Sequence, residues 1–215
     1  MIASACPPGF DSVDTMDPVD PIEAQKIALR DQLLTARRRH PLTVIPLNAS
    51  AIAAHLVDTV EVRRAATVAA YVSVSSEPGT GPLIEQLHAT GRRVILPVLL
   101  PGNDLDWAAY TGPENLVSAG RGLLEPVGPR LGVDAIATAD VVLCPGVAVD
   151  RTGMRLGRGG GSYDRALARV PVGTFVCTVL YDGEVVDHVP ATEHDRRVSA
   201  VVTEQGLTRF PQARG

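Results

Sequence analysis

The sequence predicts a single α/β domain built on a mainly parallel sheet with helices on both faces. Short, almost uninterrupted apolar runs recur along the chain, which suits strands buried on both sides. Segments with helical start and stop signals alternate with these runs. The 215 residues, 45% of them hydrophobic, suffice for one well-filled core, and neither an internal repeat nor a second domain boundary interrupts them.

Residues 1–19 hold Pro7, Pro8, Gly9 and Pro18 among scattered aspartates without periodicity, and are expected to form a disordered extension. The domain is expected to span 20–208, with a tail at 209–215. Asp20 has the chemistry of an N-cap, Pro21 of a first helical residue and Glu23 of a capping-box partner. A helix carrying Ile22, Leu29, Leu33 and Leu34 on one face then runs to about Arg38. A second helix is expected over about 49–62, with Ile52, Leu56 and Val57 inward. TVAAYVSV at 67–74 reads as a buried strand, SSEPGTG as a loop, and Pro82 as the opening of a helix that ends near Gly91. RVILPV at 93–98 is the next strand and LDWAAY at 105–110 an edge or hairpin partner. VVLCPG at 141–146, TFVCTVLY at 174–181 and SAVVTEQG at 199–206 complete the sheet.

Composition narrows the function. A formal net charge of −4 and 4% aromatic residues disfavour nucleic-acid binding, which rewards basic surfaces and stacking rings. No run of 18 apolar residues is present, so no membrane association is expected. Cys6, Cys144 and Cys177 are odd in number and lack CxxC spacing, which suits free thiols in the cytoplasm. Lys26 is the one lysine among twenty basic side chains. Coding bias toward arginine accounts for this as well as a need for a compact ammonium does.

The stretch RLGRGGGSYDR, Arg155 to Arg165, has four glycines and three arginines in eleven residues. Glycine lets backbone N–H groups approach a ligand, arginine supplies planar donors, and the loop feeds a helix beginning near Ser162 or Tyr163. An anion cradle and a flexible connection are both compatible with this composition. The density of Arg155, Arg158 and Arg165 around Gly159, Gly160 and Gly161 favours the cradle, because such a loop loses much chain entropy on ordering. It matches neither GxxxxGK[ST] nor a strand-adjacent GxGxxG. Lys26 and Arg30, four apart on the first helix, form a like-charge pair that an anion would relieve, and so suggest a second jaw on a polyphosphate. Asp164 suits either helix capping or a magnesium contact, and Glu77 ends the first strand where ligands meet such sheets. Asp195 lies in a charged turn, and His188 and His194 read as surface residues because no zinc spacing accompanies them. Arg37, Arg38 and Arg39 close a helix, complement its dipole and receive no chemistry.

LCPGVAVDRTGMRLGRGGGSYDR at 143–165 resembles the signature of the 5-formyltetrahydrofolate cyclo-ligase family, the methenyltetrahydrofolate synthetases. The usual pattern there is a PGxxFD-like strand end followed by G-x-R-L-G-x-G-x-G-[YF]-Y-D. KIALR at 26–30, the strand ending in Glu77, LLEPVG at 123–128 and VPATEHDRRV at 189–198 extend the resemblance over about 22–205. It implies a monomeric enzyme that uses ATP and Mg2+ to cyclise 5-formyltetrahydrofolate to 5,10-methenyltetrahydrofolate. Carried over, Lys26, Arg30, Arg155, Leu156, Gly157, Arg158, Gly159, Gly160, Gly161, Ser162 and Tyr163 bind ATP, and Arg155, Arg158 and Tyr163 are catalytic. Val72 and Glu77 contact the folate, and Asp164 and Asp195 hold magnesium.

Such chemistry needs no side-chain nucleophile. A formamide oxygen is a poor leaving group until it is phosphorylated, after which N10 can attack, so positioning and charge neutralisation do most of the work. Two positions depart from the pattern: Ser162 stands where an aromatic is usual, and Gly160 where some members have lysine. The alternative is therefore a folate-binding or regulatory homologue of low activity. A sugar-phosphate enzyme working without ATP is a third reading.

Overall fold

The computed structural model describes residues 20–211. The expectations for residues 1–19 and for the last four residues lie outside these. The chain begins with α1 (Pro21–Arg37), where the Asp20 side chain accepts a hydrogen bond from Ile22 N at 3.0 Å. Next come α2 (Ile45–Val57) and α3 (Val60–Arg64). The single helix expected over 49–62 is thus two. Pro46 sits in the first turn of α2, where a missing N–H costs nothing, and Thr59 breaks the run by accepting from Val62 N to cap α3.

Then follow β1 (Thr67–Ala69), α4 (Gly81–Ala89), β2 (Arg93–Leu99) and β3 (Leu105–Ala109). A small hairpin, β4 (Leu116–Ser118) and β5 (Leu124–Pro126), precedes β6 (Val141–Pro145), β7 (Ala148–Asp150) and β8 (Arg155–Leu156). The chain ends with α5 (Ser162–Leu167), β9 (Phe175–Val179), β10 (Val185–Val186), β11 (Ala200–Thr203) and β12 (Gly206–Arg209). The sheet order is β12-β11-β9-β6-β1-β2-β3, with parallel pairing from β11 to β2 and antiparallel strands at both edges. The expected parallel sheet is therefore present, and LDWAAY is an edge partner of β2 as read. The last strand was not expected. It carries Arg209, and Phe210 beyond it is buried, so ordered structure continues past residue 208.

Alternate residues of each central strand enter different cores. Val68, Val141 and Leu143 pack with Ile52 and Leu56 of α2, Val62 of α3, and Leu83 and Leu87 of α4. Ala69, Val142 and Cys144 pack on the other face with Trp107, Ile136 and Ala166 and Leu167 of α5. Burial on both faces is why these strands read as continuous apolar runs. The first helix covers neither face: Leu33 packs on a separate three-stranded sheet, β10-β7-β8, with Val147, Met154 and Leu156. Cys144 and Cys177 are buried free thiols, and burial pushes Cys144 up to about 11. Among the described residues no helix is long and apolar enough to cross a membrane.

Candidate functional site

Strands β1 and β6 lie side by side at the centre of the sheet, and the chain leaves them toward opposite edges, β1 to β2 and β6 to β9. Loops diverge at such a switch point and open a crevice at the carboxyl ends. A cleft of about 370 Å³ lies there. Its polar wall runs from Arg155 in β8 through the loop that follows to the start of α5: Arg155, Gly157, Arg158, Gly160, Gly161, Ser162, Tyr163 and Asp164. Facing it are Tyr71, Val72, Val74 and Glu77, which follow β1, and an apolar wall from β2, β3 and the β4–β5 hairpin.

The run 67–74, expected to be one strand, pairs only over 67–69, because Tyr71 onward leaves the sheet to line the cleft. Thr80 ties this segment down by donating to Tyr71 O at 2.6 Å and accepting from Ser73 N at 2.9 Å. The tie places Glu77 inside, 7% exposed, with Oε2 accepting from Val74 N and Oε1 3.1 Å from Arg158 Nη2. Burial holds the Glu77 carboxyl above its ordinary range, and the Val74 N–H and the Arg158 guanidinium oppose the shift.

The glycine loop needs its glycines for stated reasons. Gly159 and Gly161 have φ of +94° and +67°, and a Cβ on Gly157 would lie 2.9 Å from Arg155 Nη1. Arg155 is 2% exposed and donates Nη2 to Asp164 Oδ1 at 2.7 Å and Nη1 to Pro145 O at 3.1 Å. Its Nε is buried without a partner, as is the Tyr163 hydroxyl. Arg165 donates to the carbonyls of Gly102, Asn103 and Gly160, fastening the loop to the turn before β3. The Leu156 side chain points away into the core beneath α1, so only its backbone is available to a ligand.

Residues from α1 flank the loop outside the cleft lining. Arg30 donates Nε to Gly157 O at 2.9 Å and ion-pairs with Glu23, and its guanidinium carbon lies 3.5 Å from where a Gly159 Cβ would stand. Lys26 is nearly buried and 2.6 Å from Asp195 Oδ2, which also accepts from Thr192 N and Oγ1. Burial raises the Asp195 pKa, but the Lys26 ammonium and the Thr192 donors outweigh it and hold the carboxyl below its ordinary range. The like-charge pair read from spacing is therefore corrected: each cation has its own carboxylate, and no anion is needed to relieve repulsion between them. Arg37 is also corrected. Rather than serving a helix end in solvent, it is fully buried and bidentate to Glu184 at 2.6 Å.

Among the described residues no group of three or more His, Cys, Asp or Glu side chains could hold a metal. Asp164 and Asp195 each give one oxygen to a basic partner, and each has a second oxygen engaged by no donor among the described residues. This donor set fits a magnesium ion that takes one or two carboxylate oxygens and completes its shell with water and phosphate oxygens, not a protein-only cage. The sequence missed the apolar wall, Pro97, Leu99, Leu105, Leu123 and Leu124, together with Tyr71 and Arg121. LLEPVG was the one visible signal for it.

A family model described as the 5-formyltetrahydrofolate cyclo-ligase family matches residues 22–204. The 5-formyltetrahydrofolate cyclo-ligase of Mycolicibacterium smegmatis is 42% identical over 185 residues, covering 83% of this chain and 93% of that protein. The enzyme of the same name from Escherichia coli K12 is 39% identical over 145 residues, 64% of this chain and 77% of that one. The solved structure of 5,10-methenyltetrahydrofolate synthetase from Aquifex aeolicus superposes with a TM-score of 0.75 at 28% identity, covering 88% of this chain and 95% of that chain.

Proposed function

Because the chain belongs to the 5-formyltetrahydrofolate cyclo-ligase family, we propose that it converts 5-formyltetrahydrofolate to 5,10-methenyltetrahydrofolate with ATP and magnesium, releasing ADP and phosphate. The observation that carries this reading is one cleft in which a glycine loop braced by Arg155 and Arg158 faces the buried carboxyl of Glu77. Such a site holds phosphate on one side and a hydrogen-bonding heterocycle on the other.

The nucleotide supplies a phosphoryl group to the formyl oxygen, which turns that oxygen into a leaving group. N10 of the folate then attacks the formyl carbon, loses its proton, and phosphate departs with the oxygen. The chain's own part is to bind, orient and neutralise. Backbone N–H groups of Gly157 to Gly161, with Lys26 and Arg30 at the loop's outer flank, take the phosphates. The Arg155 and Arg158 guanidinium groups stabilise the transferring group from the polar wall. Ser162 and Tyr163 line the reacting end, and Tyr163 limits water by its bulk. Val72 and Glu77 hold the pterin. Asp164 and Asp195 would each offer magnesium one oxygen, the ion serving to offset phosphate charge. We place the enzyme in the cytoplasm as a monomer, a reading that the free thiols of Cys144 and Cys177 among the described residues support.

The test is near-UV absorbance of methenyltetrahydrofolate formed by purified protein, with and without ATP and magnesium. Product should require both, and Arg155→Ala should lower kcat/KM by about a hundredfold or more, the usual size of a lost charge-stabilising donor. Product formed equally well without ATP would overturn the reading. A second reading, a folate-binding homologue with little turnover, is favoured by Ser162 in the cleft wall. It expects folate binding with no ATP-dependent product.

A further inference from the structure

We propose that Arg121 reads a carboxylate of the folate's glutamyl tail at the end of the cleft's apolar wall, an assignment that rests on the function proposed above. Arg121 occupies the turn between β4 and β5 with φ 62° and ψ 22°, a left-handed conformation in which a side chain is strained. Glycines stand on both sides of it, and a third would relax the turn. A side chain kept where glycine would fit better is there for its chemistry.

Three guanidinium groups line the cleft, those of Arg121, Arg155 and Arg158. Arg155 is neutralised by Asp164 and Arg158 by Glu77. Arg121 has no carboxylate at ion-pair distance among the described residues, and its one protein contact is neutral: Nη1 donates to Asn103 Oδ1 at 2.9 Å. Asn103 is itself left-handed, with φ 62°, and its carbonyl is gripped by Arg165. This support holds the Arg121 head at the cleft, and its other donors meet no side-chain or carbonyl acceptor among the described residues.

The neighbours decide which anion it meets. Arg121 sits beside Leu123 and Leu124, which continue through Leu99, Leu105 and Pro97 as the apolar wall. A folate lays its flat ring systems along such a wall and ends in carboxylates, whose geometry matches the guanidinium fork. Phosphates already have the glycine loop.

The experiment is calorimetric titration of wild type, Arg121→Gln and Arg121→Gly with three ligands separately: 5-formyltetrahydrofolate, its analogue in which a neutral methylamide replaces the glutamyl group, and ATP. Both variants should bind the glutamyl ligand at least about tenfold more weakly, the worth of a charge-assisted hydrogen bond. They should bind the analogue and ATP as wild type does. Arg121→Gly should melt no lower than wild type, since its backbone is relaxed, so lost binding there cannot be blamed on misfolding. Equal loss for both folates, no loss, or a loss confined to ATP would overturn the assignment alone. Wild-type protein that binds neither folate would overturn the functional reading and this assignment with it.

Discussion

Two buried arginines grip adjacent carbonyls at the end of β6, and they do so for different ends. Arg37 donates to Gly146 O at 3.0 Å and uses Nε and Nη2 on both oxygens of Glu184, itself 6% exposed. Arg155 donates to Pro145 O but meets Asp164 through one nitrogen, and that acid is 22% exposed on the cleft. A bidentate pair sealed from water is a fixed joint between α1 and the turn before β10. Each arginine keeps one buried nitrogen without a partner, Nη1 of Arg37 and Nε of Arg155, so the difference lies in the acid: a single bond to a part-exposed carboxylate leaves its second oxygen at the cleft for a ligand to meet. The same residue type, holding neighbouring carbonyls, thus closes a joint in one place and lines the cleft in the other, and the partner's geometry separates the two.

The largest effect expected is from Glu184→Gln. Removing one member of a sealed pair leaves Arg37 buried and uncompensated, which costs about 3–5 kcal/mol. The melting temperature should fall by roughly 10 °C, while the protein that remains folded binds ATP as wild type does. A melting change under about 2 °C would show that water reaches Arg37 and that the joint is not sealed. Asp164→Asn should invert this pattern. Its amide oxygen still accepts from Arg155 and the site is partly open to water, so the melting temperature moves less than in Glu184→Gln. The ATP-dependent rate should nevertheless drop by about a hundredfold, because the charge that orients Arg155, and that we propose offers magnesium an oxygen, is gone. Equal losses of stability and activity in both variants would erase the distinction between the pairs.

This contrast also marks what was legible in the sequence. The Arg155 wall is drawn from one short stretch, 155–164, whose glycines and arginines announce their chemistry, and the strands that carry it are apolar runs that read directly. Arg37 was misread because its partner lies 147 residues away, and nothing local distinguishes a helix-ending arginine in solvent from one sealed by a distant acid. The apolar cleft wall is assembled from three separate segments, each of them ordinary alone. Arg30 does meet the glycine loop, donating to Gly157 O, but the carboxylate partners of Lys26 and Arg30, Asp195 and Glu23, were not foreseen as pairs. Local chemistry is written along the chain, whereas pairing across the sheet is settled by topology.

A third pair, Arg158 with Glu77, extends the comparison, since here the arginine is half in water and the acid is buried. Burial raises the Glu77 pKa, so as pH falls its charge is lost sooner than in an ordinary carboxylate, and the acid limb of kcat/KM for the folate lies correspondingly higher. Arg158 opposes that shift. Arg158→Ala should therefore move the limb further toward neutral pH, by a modest amount because water screens the exposed guanidinium, and Glu77→Gln should abolish it. A limb that stays in place in Arg158→Ala would show that the pair is not formed in the working enzyme.

The smallest effect concerns Ser162, which lies in the same wall between Gly161 and Tyr163. A tyrosine here would add aromatic surface at the mouth of the cleft without touching either buried pair. An aromatic contact is worth about 0.5–1.5 kcal/mol beyond its area, so Ser162→Tyr should raise kcat/KM by about two- to tenfold through KM, with kcat steady. Separate determination of kcat and KM for the folate checks this. A gain in kcat instead would mean that serine slows the chemistry itself, and would favour the low-turnover homologue. No gain at all would mean that the apolar wall opposite, with Leu99, Leu105 and Leu124, already holds the rings, which would move the determinants of folate affinity from the glycine loop to the wall that the sequence did not reveal.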